Sequence, residues 1–218
     1  MRYLIGIGCG IFSYLLCMAW LHEPQSGQRR DFIKEALPCT RKKGIALLLY
    51  MVGAVLFALL FTLYGYGPVK IIRHCLLLGG LVPIGYEDYK EKRIPNRWLL
   101  ALIIIRAILF GVESVLYPAF IWENVKFILF GAAVNGIILF LAYVISRHSI
   151  GVGDVKLFIV LGMYLGTGRT YLILLSALII AACYGVVKVW RKSMTTKDEM
   201  AFAPFVAIGT VLILGLGF

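Results

Sequence analysis

Runs of about twenty apolar residues, each broken by a short polar stretch, leave this chain few folds to choose from. Eight runs can be read, near residues 3–21, 45–64, 69–87, 98–117, 124–146, 153–168, 169–189 and 201–218. A helix rising about 1.5 Å per residue crosses the hydrocarbon core of a bilayer in roughly 20 residues. Barrel strands would alternate apolar and polar side chains, and residues 99–105 do not alternate. The third run carries the most charge, with Lys70, Arg73 and His74 at its start. Hydrophobic residues make up 61% of the chain and charged residues 15%, and the mean hydropathy is +0.90. A water-soluble globule could not cover that much apolar surface, and disordered, collagen-like and disulfide-rich classes are excluded as well. The expected fold class is therefore all-α: a polytopic integral membrane protein with about eight transmembrane helices. So many spans leave no room for a separate soluble catalytic domain, so any chemistry belongs on helix ends and short loops.

Basic residues orient such a protein, because cytoplasmic loops keep them. Sixteen of the twenty-two Lys and Arg fall on connections one, three, five and seven or beside them, which places those connections in the cytoplasm and both termini outside. The net charge of +11 is then a topology signal, and no nucleic-acid partner is expected. The first run has only Arg2 as its basic flank and no A-x-A-like cleavage site, so a retained span is expected rather than a signal peptide. Four of the five cysteines, Cys9, Cys17, Cys75 and Cys183, lie in apolar runs, and with Cys39 none forms a C-x-x-C pair. Neither a metal site nor a disulfide framework is expected.

The chain is expected to divide into residues 1–44, a first transmembrane helix with a short basic cytoplasmic loop, and residues 45–218, a membrane-embedded helical bundle. Within the loop, Phe32, Ile33, Ala36 and Leu37 recur at helical spacing opposite Arg29, Arg30 and Lys34, until Pro38 ends the pattern. That suits a short amphipathic helix on anionic membrane lipid, or equally a solvated linker. Gly79, Gly80 and Pro83 suit close helix contact or a kink.

Most of the eleven acidic residues lie in polar loops. Two sites differ. Asp88, with Glu87 beside it, ends the third run and precedes Lys90, Lys92, Arg93 and then Ile94-Pro95-Asn96. Asp154 begins the sixth run, behind Gly151 and Gly153 and ahead of Lys156 and Leu157. One span out and one span back separate them, which places both carboxylates at the same membrane boundary. Two neighbouring carboxyls cannot both ionise and so share a proton. The ionised one can take a proton from water while the protonated one polarises a scissile carbonyl, with no metal or covalent intermediate. Simpler readings exist for each: Asp154 as a helix cap, Asp88 as a solvated charge among lysines. Gly151 and Gly153 would let a substrate backbone approach Asp154, or merely start a helix. Asn96 is expected to cap the fourth span.

These motifs resemble those of the type IV prepilin peptidases, membrane aspartyl proteases of the GxGD group. Their first motif, an Asp followed by basic residues and Ile-Pro-Asn, is similar to Asp88 through Asn96; their second, Gly-x-Gly-Asp with an apolar residue, Lys and Leu, is similar to Gly151 through Leu157. A third segment, Phe202-Ala203-Pro204-Phe205 and onward to Gly209, resembles the opening of the family's last helix. The similarity covers roughly residues 75 to 218. It implies that Asp88 and Asp154 are the catalytic pair, with Gly151, Gly153, Glu87, Lys156 and Pro204 binding substrate or shaping the site. Lys156 would alternatively meet lipid headgroups. The implied reaction is hydrolysis between the basic leader and the apolar helix of prepilin or pseudopilin substrates, at the cytoplasmic face of the bacterial inner membrane. Many relatives also N-methylate the new terminus using S-adenosylmethionine, and their first cytoplasmic loop binds zinc through two Cys-x-x-Cys pairs. Here residues 22–44 hold only Cys39, so no zinc or other cofactor is expected and methyl transfer lacks that support. Two rival readings use the same residues: a proton-coupled transporter relaying protons through the aspartates, and a non-catalytic secretion-assembly scaffold. Oligomeric state, and which pilin-like protein is cut, are left open by the sequence.

Overall fold

The computed structural model describes residues 7, 8, 10, 11, 13–15, 41–146, 150–191 and 200–217, and of 41–47, 49 and 50 the backbone. Most of the first expected span and the amphipathic stretch at residues 32–37 lie outside the described residues. Every regular element among the described residues is helical: α1 (Arg41–Leu63), α2 (Pro68–Glu91), α3 (Asn96–Leu116), a 3₁₀ turn (Pro118–Phe120), α4 (Ile121–Ile145), α5 (Val152–Trp190) and α6 (Ala203–Gly215). The physical cause is the one that governs any backbone in lipid: each N–H and C=O must be satisfied within its own segment. Among the described residues, four segments are long and apolar enough to cross a bilayer, Pro68–Glu91, Asn96–Leu116, Pro118–Ile145 and Val152–Trp190, while Met51–Leu63 and Ala203–Gly215 are shorter apolar helices.

The expected sixth and seventh segments both fall within α5, 39 residues that divide into two helical halves at a kink at Gly166. Gly166 has φ 77° and ψ −177°, a left-handed backbone that strains any residue with a Cβ. A Cβ there would also fall 2.6 Å from the Phe127 ring. Asp154 before that glycine and Leu174 and Leu178 after it line one cavity, so the chain turns back there and the two halves of α5 correspond to the two expected segments, joined without a loop.

The chain forms two compact units, Met1–Pro83 and Ile84–Phe218. In the first, Phe61, Ile71 and Leu77 are buried, and His74 stacks on Tyr66 at 5.6 Å between ring centres. Ser13 packs where a side chain on Gly79 would stand, the close contact expected of that glycine.

The second unit holds α3 to α6 and the last turns of α2. Its core includes Leu102, Leu157, Leu161, Tyr164, Ile173 and Val206. The Tyr164 hydroxyl donates to the Leu102 carbonyl at 2.7 Å, tying α5 to α3. Gly131 of α4 and Gly162 of α5 meet backbone to backbone, each occupying the space that a side chain on the other would need. Small residues at such crossings let helices approach closely in lipid.

Arg106 and Glu113 form a buried ion pair within α3, with Nη1 donating to Oε2 at 3.1 Å, while Arg106 Nε donates to the Met163 carbonyl of α5 at 3.0 Å. Removing one partner of a buried pair leaves an uncompensated charge and costs about 3–5 kcal/mol. Glu113→Gln is therefore expected to lower the thermal unfolding midpoint in detergent markedly. An unchanged midpoint would mean that Arg106 finds another counter-charge.

Candidate active site

Three helix ends of the second unit converge on one place. Gly85 and Asp88 share a face of α2, three residues apart. At Gly85 the missing side chain admits the start of α6: a Cβ there would lie 3.3 Å from Pro204 Cα. Pro204 sits in the first turn of α6, where its lack of an N–H costs nothing. That contact brings the free N–H groups of the α6 N-terminus to Asp88, and Ala203 N–H donates to Asp88 Oδ2 at 2.9 Å. Asp88 is only 5% exposed, so this backbone donor and the positive end of the α6 dipole replace much of the water it would otherwise hold.

Asp154 is the third residue of α5, whose N-cap is Gly151 in extended conformation (φ −68°, ψ 137°). Asp154 is thus not the cap. Its backbone N–H donates to the Gly151 carbonyl at 3.0 Å. A Cβ on Gly151 would stand 3.0 Å from Asp154 Oδ2, so this glycine leaves room for the carboxylate. The carboxylates of Asp88 and Asp154 interact electrostatically and line one cavity of about 520 Å³. Leu139 and Ala142 of α4 and Leu174 and Leu178 of α5 form its apolar wall; Met200, Ala201 and Phe202 border it from the approach to α6.

Of the seven residues singled out from the sequence, Asp88, Asp154 and Gly151 line this cavity, and Gly153, Glu87, Lys156 and Pro204 do not. Gly153 packs on Ile94, where a Cβ would come within 3.0 Å of the Ile94 Cβ. Glu87 accepts the indole N–H of buried Trp98 at 3.0 Å and lies 3.9 Å from Arg97, clamping the end of α2 to the start of α3. Lys156 donates to Asn96 Oδ1 at 2.9 Å. Asn96 does not cap α3: Pro95 takes that position without a side-chain cap bond, and the Asn96 amide serves Lys156 instead.

Lys92 was not singled out, and it lines the cavity. It ends α2 in the left-handed conformation, φ 53°, with its N–H donating to the Asp88 carbonyl at 2.7 Å. A non-glycine residue there is uncommon. Its place four residues after Asp88 was the available signal, masked by the basic run around it. Among the described residues, no group of three or more His, Cys, Asp and Glu side chains gathers to hold a metal ion.

The fold and this site define a class: a helical membrane protein presenting two interacting carboxylates, from separate helices, to one largely apolar cavity. Residues 75–186, about half of the chain and inclusive of both aspartates, match the profile of the type IV leader peptidase family, and the chain belongs to that family. It is similar to the prepilin leader peptidase/N-methyltransferase of Bacillus subtilis (strain 168), with 26% identity over 162 residues, 74% of this chain and 62% of that protein. The protein of the same name from Burkholderia pseudomallei (strain 1026b) is 37% identical over 70 residues, 32% of this chain and 23% of that one. The chain thus spans less than two thirds of the length of these relatives. No solved structure matches it.

Proposed function

We propose that this chain is an aspartic endopeptidase that removes the basic leader of type IV pilin-like precursors, with Asp88 and Asp154 as its catalytic pair. The observation that carries this is the meeting of both carboxylates on one cavity of about 520 Å³. One carboxylate, ionised, takes a proton from a water held between the two. The other, protonated, donates a hydrogen bond to the scissile carbonyl, and the resulting hydroxyl adds to that carbon. The proton then passes to the leaving amine as the C–N bond breaks, which restores the pair. The Leu139, Ala142, Leu174 and Leu178 wall suits the apolar helix that follows the leader, and Gly151 leaves the approach to Asp154 open to a peptide backbone.

Position along the helices supports hydrolysis over proton-coupled transport. Asp88 lies three residues before the end of α2, and Asp154 is the third residue of α5. A carrier would want its carboxylates near mid-membrane. The charge distribution of the sequence supports a reading in which these ends lie on the cytoplasmic side of the inner membrane, in a bundle of about eight spans. N-methylation, which the names of both relatives include, is not part of this proposal.

The test is incubation of the purified chain in detergent with a peptide carrying a basic leader and an apolar helix, read by mass spectrometry. Release of the leader as one fragment is expected. A peptide that stays whole, under conditions where a relative of established activity cuts it, would contradict the proposal.

A further inference from the structure

A second cavity, of about 420 Å³, lies between the first turns of α3 and α5, and neither Asp88 nor Asp154 lines it. Its lining changes character along the helix axes. Arg97, the second residue of α3, and Lys156, the fifth of α5, stand at the end where both helices begin. Leu100, Ile103, Ile159 and Val160 continue it toward the helix middles. Positions 100 and 103 on one helix, and 156, 159 and 160 on the other, follow helical spacing, so each wall is a single stripe. From Arg97 to Ile103 the groove descends about 9 Å at 1.5 Å per residue. Both helices are long and apolar enough to cross a bilayer, so their charged first turns meet headgroups and the walls below meet hydrocarbon.

We propose that this groove binds one anionic glycerophospholipid, with its phosphate on Arg97 and Lys156 and an acyl chain between α3 and α5. The donor inventory allows it. Lys156 has three N–H donors, one of them given to Asn96 Oδ1, and Arg97 brings a planar guanidinium fork whose geometry matches a phosphate. Leu100 is 58% exposed and Ile103 37%, so the walls present apolar surface that no described residue fully covers. Two cations against one carboxylate make the rim net positive, which selects an anionic headgroup over a zwitterionic one. An apolar helix, from a substrate or a second copy, would satisfy the walls but bring no counter-charge to the rim, and a basic leader would be repelled by it.

The experiment is native mass spectrometry of the full chain in detergent with equal amounts of phosphatidylglycerol and phosphatidylcholine of identical acyl composition. Phosphatidylglycerol is expected to be retained about 5-fold better, since each net positive charge at an anionic surface contributes roughly a factor of five. Arg97→Gln combined with Lys156→Gln is expected to bring the ratio close to one, whereas Lys188→Gln, on α5 but outside the groove, leaves it unchanged. Leu100→Trp fills the groove without altering charge and is expected to reduce retention of phosphatidylglycerol. Equal retention by the wild-type chain, or a preference that survives Leu100→Trp, overturns the proposal. So does a dimer that Leu100→Trp dissociates in the absence of any lipid preference, since that assigns the groove to a second copy. If the double charge variant fails to fold, the wild type and Leu100→Trp decide the matter between them.

Discussion

Replacing Asp88 by Asn is expected to lower leader cleavage by about 10³-fold or more while leaving the helical fold intact. The substitution is nearly isosteric, and the Asn carbonyl oxygen can still accept the Ala203 N–H that Asp88 Oδ2 accepts at 2.9 Å. What it loses is the ability to exchange a proton with water and with Asp154. A positioned general acid or base is typically worth 10²–10⁴-fold, and groups that act as a unit lose nearly everything when either is removed. The check is the initial rate of leader release, with far-ultraviolet circular dichroism in the same detergent as the control for folding. A loss below about tenfold would mean that Asp88 serves the fold rather than the chemistry.

The second large effect concerns Gly85, which touches no reacting atom. A Cβ at this position already stands 3.3 Å from Pro204 Cα, so a leucine side chain has no space unless the start of α6 moves away. That displacement separates the Ala203 N–H from the Asp88 carboxylate and leaves a buried acid without its backbone donor. Gly85→Leu is expected to reduce cleavage about 100-fold, by misplacing Asp88 relative to Asp154, since errors near 1 Å cost on that scale. Gly85→Ala, which asks the neighbour to shift by only a few tenths of an ångström, is expected to keep most of the activity. Equal activities for the leucine variant and the wild type would show that the contact between α2 and α6 does not position the acid.

What could be read in advance, and what could not, follows from how far each feature depends on distant residues. The helices and their apolar character are properties of single runs, so α2, α3 and α4 begin and end within a few residues of the expected spans at 69–87, 98–117 and 124–146. The shared location of Asp88 and Asp154 also needed only counting, because α3 and α4 carry the chain out and back between them. Gly151 beside Asp154 is a local relationship and was legible for that reason. By contrast, the backbone donor to Asp88 comes from Ala203, 115 residues away, and nothing in either segment names the other. Glu87 looked like part of the acidic site because it adjoins Asp88, yet neighbours on a helix point about 100° apart, and Glu87 faces Trp98. The cavity wall of Leu139, Ala142, Leu174 and Leu178 could not be separated from side chains that meet lipid, since both are apolar. The segments expected at 153–168 and 169–189 meet at Gly166, where one left-handed backbone angle makes the break that a loop would otherwise make.

If Asp88 and Asp154 act as one device, the single and double asparagine variants lose leader cleavage to the same extent. Mass spectrometry of a pilin-like precursor after prolonged incubation would report residual cleavage by Asp88→Asn, Asp154→Asn and the two combined. All three are expected to fall to the same floor, with the double variant no worse than either single one. Near wild-type processing by either single variant, or a double variant whose loss is the product of two independent losses, would contradict it.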